Sequence, residues 1–141
     1  MSERARVVID TNILVSAMLS SRSMPGQTQR WAAQTYILLA SEATMAEPED
    51  VLQRPKFDAL VSRAARAEFL VRYREAVKFI PIVSRIKICR DARDDKFLDL
   101  AIDGNAGMIV TGDDDLLVLN PFRGVRIVTP RQFLALDEDP K

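Results

Sequence analysis

The chain has 141 residues, 20 Lys plus Arg against 20 Asp plus Glu, one Cys and no His. The missing His excludes a Ser-His-Asp triad, a Cys-His pair and any imidazole base, and a lone thiol makes neither a thiolate zinc site nor an internal disulfide. Apolar residues form 48% of the chain; the length suits one domain over 1–141 with a core at about 6–136, and no apolar run reaches the ~18–20 residues of a membrane span. With no signal-peptide region in the first ten residues and no disulfide, a cytoplasmic protein is expected. The zero net charge is unevenly spread: residues 54–96 carry twelve basic and six acidic side chains. A locally basic surface of this kind can steer a polyanion, although a pair of solvated Arg-rich helices accounts for the same count.

Arg6 to Ile9 is a short β-branched apolar run that predicts a buried strand of a parallel sheet. Thr11 to Leu19 switches to helical spacing, so Asp10 falls where strand hands over to helix. Ser20 to Gln27, with Pro25-Gly26, predicts a loop, and Thr28 to Gln34 a helix. Tyr36 to Ala40 predicts a second strand, followed by a helix to about Gln53. Phe57 to Phe79 gives one or two amphipathic helices with Leu60, Val61 and Ala64, then Phe69, Leu70, Tyr73 and Val77, on the apolar face. Pro81 ends that stretch, and Ile82-Val83 or Ile86 to Ile88 is a candidate strand. Asp94 to Gly104 predicts a helix with Gly104 as its stop. Met108 to Thr111 and Val125 to Val128 predict further strands, and Pro130 opens a last helix. Strands alternating with helices predict a three-layer α/β/α sandwich around a mainly parallel sheet. Trp31, Tyr36 and Tyr73 are assigned to the core.

Ligands of open α/β sheets bind beyond the carboxyl ends of the strands. Asp10 ends the first strand, and Asp113 and Asp115 follow the strand Met108 to Thr111; in one parallel sheet they meet at one edge. Asp94 and Asp95 open the preceding helix. At 100° per residue Asp94 lies near the middle of the Phe97/Leu98/Ala101/Ile102 face, and Asp95 about 60° past Leu98. Each acid taken alone suits a turn or an N-cap, with Asp91 a candidate cap and Asp114 and Asp115 able to open a short helix. Glu42, Glu49, Asp50 and the stretch Asp137 to Asp139 suit solvated charge. Several carboxylates aimed at one place, however, cannot all stay ionised unless cations hold them. All-oxygen donors favour Mg²⁺ or Mn²⁺, which can activate water and neutralise a phosphodiester's developing charge without His.

Val8-Ile9-Asp10-Thr11-Asn12-Ile13-Leu14-Val15-Ser16-Ala17, then Asp91-Ala92-Arg93-Asp94-Asp95-Lys96-Phe97-Leu98, then Ile109-Val110-Thr111-Gly112-Asp113-Asp114-Asp115-Leu116-Leu117 resemble the acidic motifs of PIN-domain ribonucleases. The likeness runs from about Arg6 to Leu136 and is strongest to the branch related to VapC toxins of toxin–antitoxin pairs. It implies a PIN-like α/β/α fold and a ribonuclease that uses Mg²⁺ or Mn²⁺. The implied catalytic acids are Asp10, Glu47, Asp95 and Asp113, with Asp95 preferred to Asp94 by its spacing to Thr111-Gly112-Asp113. The implied metal ligands are Asp10, Asp95, Asp113 and Asp115, with Asn12 and Thr111 orienting carboxylates or water. Arg54 and Lys56, beside the Glu47 segment, are candidates for the RNA backbone. A small antitoxin and a homodimer are the implied protein partners.

Pro48 departs from the family pattern, because proline disfavours helical geometry at the residue before it and removes a backbone donor. Either the helix starts at Pro48 or it is kinked beside Glu47. The alternative function is therefore a PIN-fold RNA- or protein-binding module with a weakened site. A phosphoacceptor receiver domain does not fit: Ser84 and Thr129 follow the strands where it needs an Asp and a Lys.

Overall fold

A computed structural model describes residues 4–136; the acidic stretch Asp137 to Asp139 lies outside them. Five strands, β1 (Arg6–Ile9), β2 (Ile37–Ala40), β3 (Lys78–Phe79), β4 (Met108–Val110) and β5 (Arg126–Val128), form one sheet in the order β3-β2-β1-β4-β5. Every pairing is parallel, with Val7 opposite both Leu38 and Met108 and Ile9 opposite Val110. Parallel strands need crossovers, and the helices supply them: α1 (Thr11–Leu19), α2 (Met24–Thr35), α3 (Glu42–Val51), α4 (Arg63–Ala76), α5 (Asp95–Asp103), α6 (Asp114–Leu117) and α7 (Pro130–Ala135). Among the described residues, no helix is long and apolar enough to cross a membrane.

The central strands are buried on both faces because their residues alternate between two cores. Val7, Ile9, Leu38 and Val110 share one with Leu14, Met45, Tyr73 and Phe133, onto which Trp31 and Tyr36 pack. Val8, Leu39, Ile109 and Ile127 share the other with Phe97, Leu98, Leu100 and Leu116. The result is the three-layer α/β/α sandwich that the alternating elements predict.

Several boundaries differ from the sequence expectation. Pro25-Gly26 belongs to the first turn of α2, where Ser23 caps the helix by accepting from the Gly26 amide. A Cβ on Gly26 would fall 2.3 Å from the Ser21 carbonyl oxygen, so only glycine lets the preceding loop close against this turn. Between Phe57 and Phe79 the chain forms a 3₁₀ turn at Pro55–Phe57, then α4, then the two-residue strand β3. Leu60, expected in the apolar stripe, is 69% exposed because it lies before the helix.

Neither Ile82-Val83 nor Ile86 to Ile88 is a strand; among the described residues no regular element lies between β3 and the 3₁₀ turn Ala92–Asp94. The physical reason is a substitute for strand pairing. Asp95, Asp99 and Asp103 repeat every four residues along α5 and therefore share one face. Asp103 accepts from the amides of Val83 (2.7 Å) and Ser84 (2.8 Å), Asp99 from Ile86 (2.8 Å), and Asp95 from Ile88 (3.2 Å) and Cys89 (2.8 Å). Residues 83–89 thus form a strap held along α5 by side chains instead of a sheet ladder. Its members Ile86 and Cys89, with Ile82 just before it, pack on the second core.

Candidate active site

The carboxyl ends of β1 and β4 adjoin, with the Asp10 amide donating to the Val110 carbonyl at 3.2 Å. The residue that follows each strand is buried and polar: Asp10 is 4% exposed and Thr111 0%. Asp10 caps α1 by accepting from the Ile13 amide (3.0 Å), and the Thr111 hydroxyl donates to its other carboxylate oxygen. Thr111 also accepts from the Asp113 amide at 2.9 Å, so one hydroxyl sets the turn after β4 and the rotamer of Asp10. Asp113 in turn caps α6, accepting from the Asp115 amide at 2.9 Å. Capping and site geometry are therefore compatible uses of the same two acids.

Asp10 and Asp113 open into a cavity of about 270 Å³ also lined by Thr11, Asn12, Glu47, Arg54, Asp91, Arg93 and Asp94. Glu47 reaches it despite Pro48. The helix α3 begins at Glu42, where Ser41 and Thr44 form a reciprocal capping box, and runs through Pro48 to Val51; the expectation that it starts at Pro48 is corrected. Pro48 is buried inside α3 and removes one donor, yet its carbonyl accepts from the Leu52 amide at 2.9 Å and the last turn closes. Glu47 is then fixed from outside its helix: Thr11 donates to Oε1 at 2.5 Å, and Lys96 Nζ lies 3.2 Å from the same oxygen.

Asp95 and Asp94 exchange the places that spacing to the Thr111-Gly112-Asp113 motif suggests. Asp95 is turned into the strap, where burial raises its pKa but the bonds from Cys89 and Ile88 outweigh burial and hold it below the usual range. Burial of the Cys89 thiol, then its hydrogen bond to Asp95 and that carboxylate's charge, push it up to about 12. Asp94, the last residue of the 3₁₀ turn, lines the cavity instead. Burial, with a hydrogen bond to Asp113 and its charge, pushes Asp94 up to about 7, with Lys96 opposing. Burial also raises Asp10, against the bonds from Thr111 and Ile13 and with the charges of Asp113 and Glu47. Asp91, at the rim, is held down at about 2 by Arg93, which pairs with it at 2.9 Å.

Asp94, Asp113 and Asp115 each place one oxygen within 4.8 Å of the others. Three hard donors over that span suit a small divalent cation at ~2.1 Å metal–oxygen distances with water completing its shell. Arg90 Nη1 lies 4.0 Å from Asp115. Of the cations expected near RNA, Arg54 lines the cavity while pairing with Asp50 at 3.4 Å, whereas Lys56 sits over the Phe57 ring, 5.2 Å from its centroid. Sequence reasoning missed Thr11, Lys96 and the Asp91–Arg93 pair. The helical phase signalled Asp94; nothing in the sequence signals Lys96, whose role depends on how α5 crosses α3.

Comparison with known proteins gives the same architecture. The uncharacterized protein MJ1680 of Methanocaldococcus jannaschii is 26% identical over 141 residues, covering 93% of this chain and 90% of its own. The crystal structure of PAE2754 from Pyrobaculum aerophilum superposes with a TM-score of 0.63 at 15% identity, over 96% of this chain and 91% of that one. VapBC2 from Rickettsia felis, solved bound to a DNA fragment from its promoter, gives 0.62 at 14% identity over 88% and 98%. A family model described as PIN domain matches residues 6–115. Those residues carry four of the five strands, the threonine-braced acids and the cavity between them, and by them the chain belongs to the PIN-domain family, whose members are generally nucleases.

Proposed function

We propose that the protein is an endoribonuclease dependent on Mg²⁺ or Mn²⁺ and the toxin of a toxin–antitoxin pair. The observation that carries the reading is the meeting of Asp10, Glu47, Asp94 and Asp113, from four separate segments, around one cavity at the carboxyl edge of the sheet. Asp94, Asp113 and Asp115 would hold the ion, with Asp10 and Glu47 completing the anionic wall; Asp94 replaces Asp95 in this assignment. A bound divalent ion there supplies a Lewis acid that polarises water and offsets charge on the phosphodiester.

The chain's own groups do the rest. Thr111 keeps Asp10 in one rotamer and sets the approach of Asp113. Thr11 and Lys96 hold Glu47 aimed into the cavity, where a carboxylate can accept a proton from attacking water. Asn12, exposed at the mouth, offers an amide to orient water or a phosphate oxygen. Arg54 and Arg93 line the same opening and suit an anionic strand. The small antitoxin belongs to this proposal, supported by the structural likeness to VapBC2, and the homodimer belongs to it on the family resemblance alone.

The test is cleavage of single-stranded RNA by the purified protein with EDTA, Mg²⁺ or Mn²⁺. Metal-dependent internal cuts are expected; an inert protein with both metals that nevertheless binds RNA supports the binding-module reading in place of the enzyme.

A further inference from the structure

A second and larger cavity, of about 780 Å³, opens at the same sheet edge beyond β2 and β3. Phe79, Ile80, Pro81 and Ile82 form its apolar wall, and Arg74 and Lys96 lie on its polar side. We propose that this cavity receives one nucleobase of the RNA strand whose phosphodiester lies in the acidic cavity; the inference rests on the ribonuclease reading.

Three observations favour a base. First, the two cavities share a wall. Lys96 lines the larger one while its ammonium contacts Glu47 of the acidic one, so adjoining nucleotide units can occupy both. Second, Phe79 is a large aromatic side chain left 39% exposed at a sheet edge. The Arg74 guanidinium lies 5.4 Å from its ring centroid and is held there by Glu49, which makes a prearranged stacking platform. The platform is rigid, since Phe79 pairs with Ala40 in the sheet and the Ile80 amide donates to the Ala40 carbonyl at 2.9 Å. Stacking on aromatic rings and Arg planes is how single-stranded RNA bases are held. Third, the charges select against a phosphate. Glu42 and Asp99 line the cavity together with Arg74 and Lys96, and both cations are already engaged by Glu49 and Glu47. A neutral planar group enters such a lining without opposing charge, and the volume is that of an ordinary small-molecule pocket.

The experiment uses the full chain and a fluorescent mixed-sequence RNA oligonucleotide, an abasic copy of it and a 5-iodouridine copy. Phe79→Ala is expected to weaken binding of the base-bearing RNA about tenfold, Phe79→Tyr to retain it, and both variants to bind the abasic RNA like the parent. Ultraviolet crosslinks of the parent protein to 5-iodouridine are expected within residues 79–82, a readout that stands if Phe79→Ala does not fold. Equal affinity of parent and Phe79→Ala for base-bearing RNA overturns the inference, as it must if the cavity seats a protein partner. An equal loss on abasic RNA, or crosslinks confined to other segments, overturns it too. Cleavage with Mn²⁺ is measured on the same samples. A protein that crosslinks at 79–82 without cutting removes the ribonuclease reading alone; one that cuts but crosslinks only elsewhere removes the base subsite alone.

Discussion

Asp94 and Asp95 are neighbours with opposite environments, and their variants separate chemistry from scaffold. Asp94→Asn, Asp10→Asn and Asp113→Asn are each expected to lower RNA cleavage by ~100-fold or more while the protein stays folded. Asp95→Asn is expected to act through stability, because it weakens the bonds from Ile88 and Cys89. Single-turnover rates with circular dichroism on all four variants check this; a folded Asp10→Asn protein cutting at the parental rate would falsify the assignment. The raised pKa of Asp94 also fixes a sign. Its proton is bound more tightly in the folded chain, between its ordinary value of 3.8 and about 7, so stability contributed by the protonated form is lost as pH rises through that window. Raised Asp10 acts in the same sense, while the lowered Asp91 and Asp95 act at more acid pH. The metal-free Tm in EDTA is therefore expected to fall from pH ~4 to ~7, and Asp94→Asn to flatten that slope and raise the Tm at neutral pH. A Tm that climbs across the window in the parent protein contradicts a crowded anionic site.

At the scale of elements, α5 has two roles: its apolar stripe builds the second core, and its acid row supports the strap. Asp103→Asn is expected to cost about 1–2 kcal/mol, as the Val83 and Ser84 amides lose a charged acceptor. Hydrogen exchange gives the sharper readout: the amides of Val83 and Ser84 should lose protection while those of Val8 and Ile109 in the sheet keep theirs. Uniform loss across the sheet would mean that α5 holds the whole fold through this contact. The same element explains what the sequence concealed. Residues 82–88 have the composition of a strand, with Ile82, Val83, Ile86 and Ile88 among the seven. Which backbone groups meet an acceptor depends on a helix that comes later in the chain, and no local pattern encodes that. Likewise Pro48 disrupts helical spacing on paper, whereas Ser41 and Thr44 start α3 early enough to carry it through the proline.

For the molecule as a whole, the parallel sheet and its layers were legible because β1, β2, β4 and β5 are nearly all-apolar runs bounded by polar turns. Asp10, Glu47 and Asp113 were placed at one edge from topology and family resemblance together, and the structure brings them around one cavity. Less legible was which of two adjacent acids joined them, since a one-residue change of phase at a 3₁₀ turn redirects a side chain. The uneven charge has a consequence at this scale. Arg85 and Lys87 are exposed on the strap and Arg90 directly after it, and Arg90 approaches Asp115. If three such cations contact phosphates, log Kd for single-stranded RNA should vary with log salt with a slope of about 2 in magnitude. Replacing Arg85 and Lys87 by Gln should flatten it; an unchanged slope places the backbone contacts elsewhere.

The strap's anchors are main-chain amides and the Ser84 hydroxyl, so the outward side chains of Val83, Arg85 and Lys87 have no part in holding its path. Val83, Arg85 and Lys87 can therefore be exchanged for almost any residue except proline, which at 83 would delete one of the anchoring amides. A lineage of such chains can rewrite the outer chemistry of this ribbon without touching either the hydrophobic interior or the acids beside it.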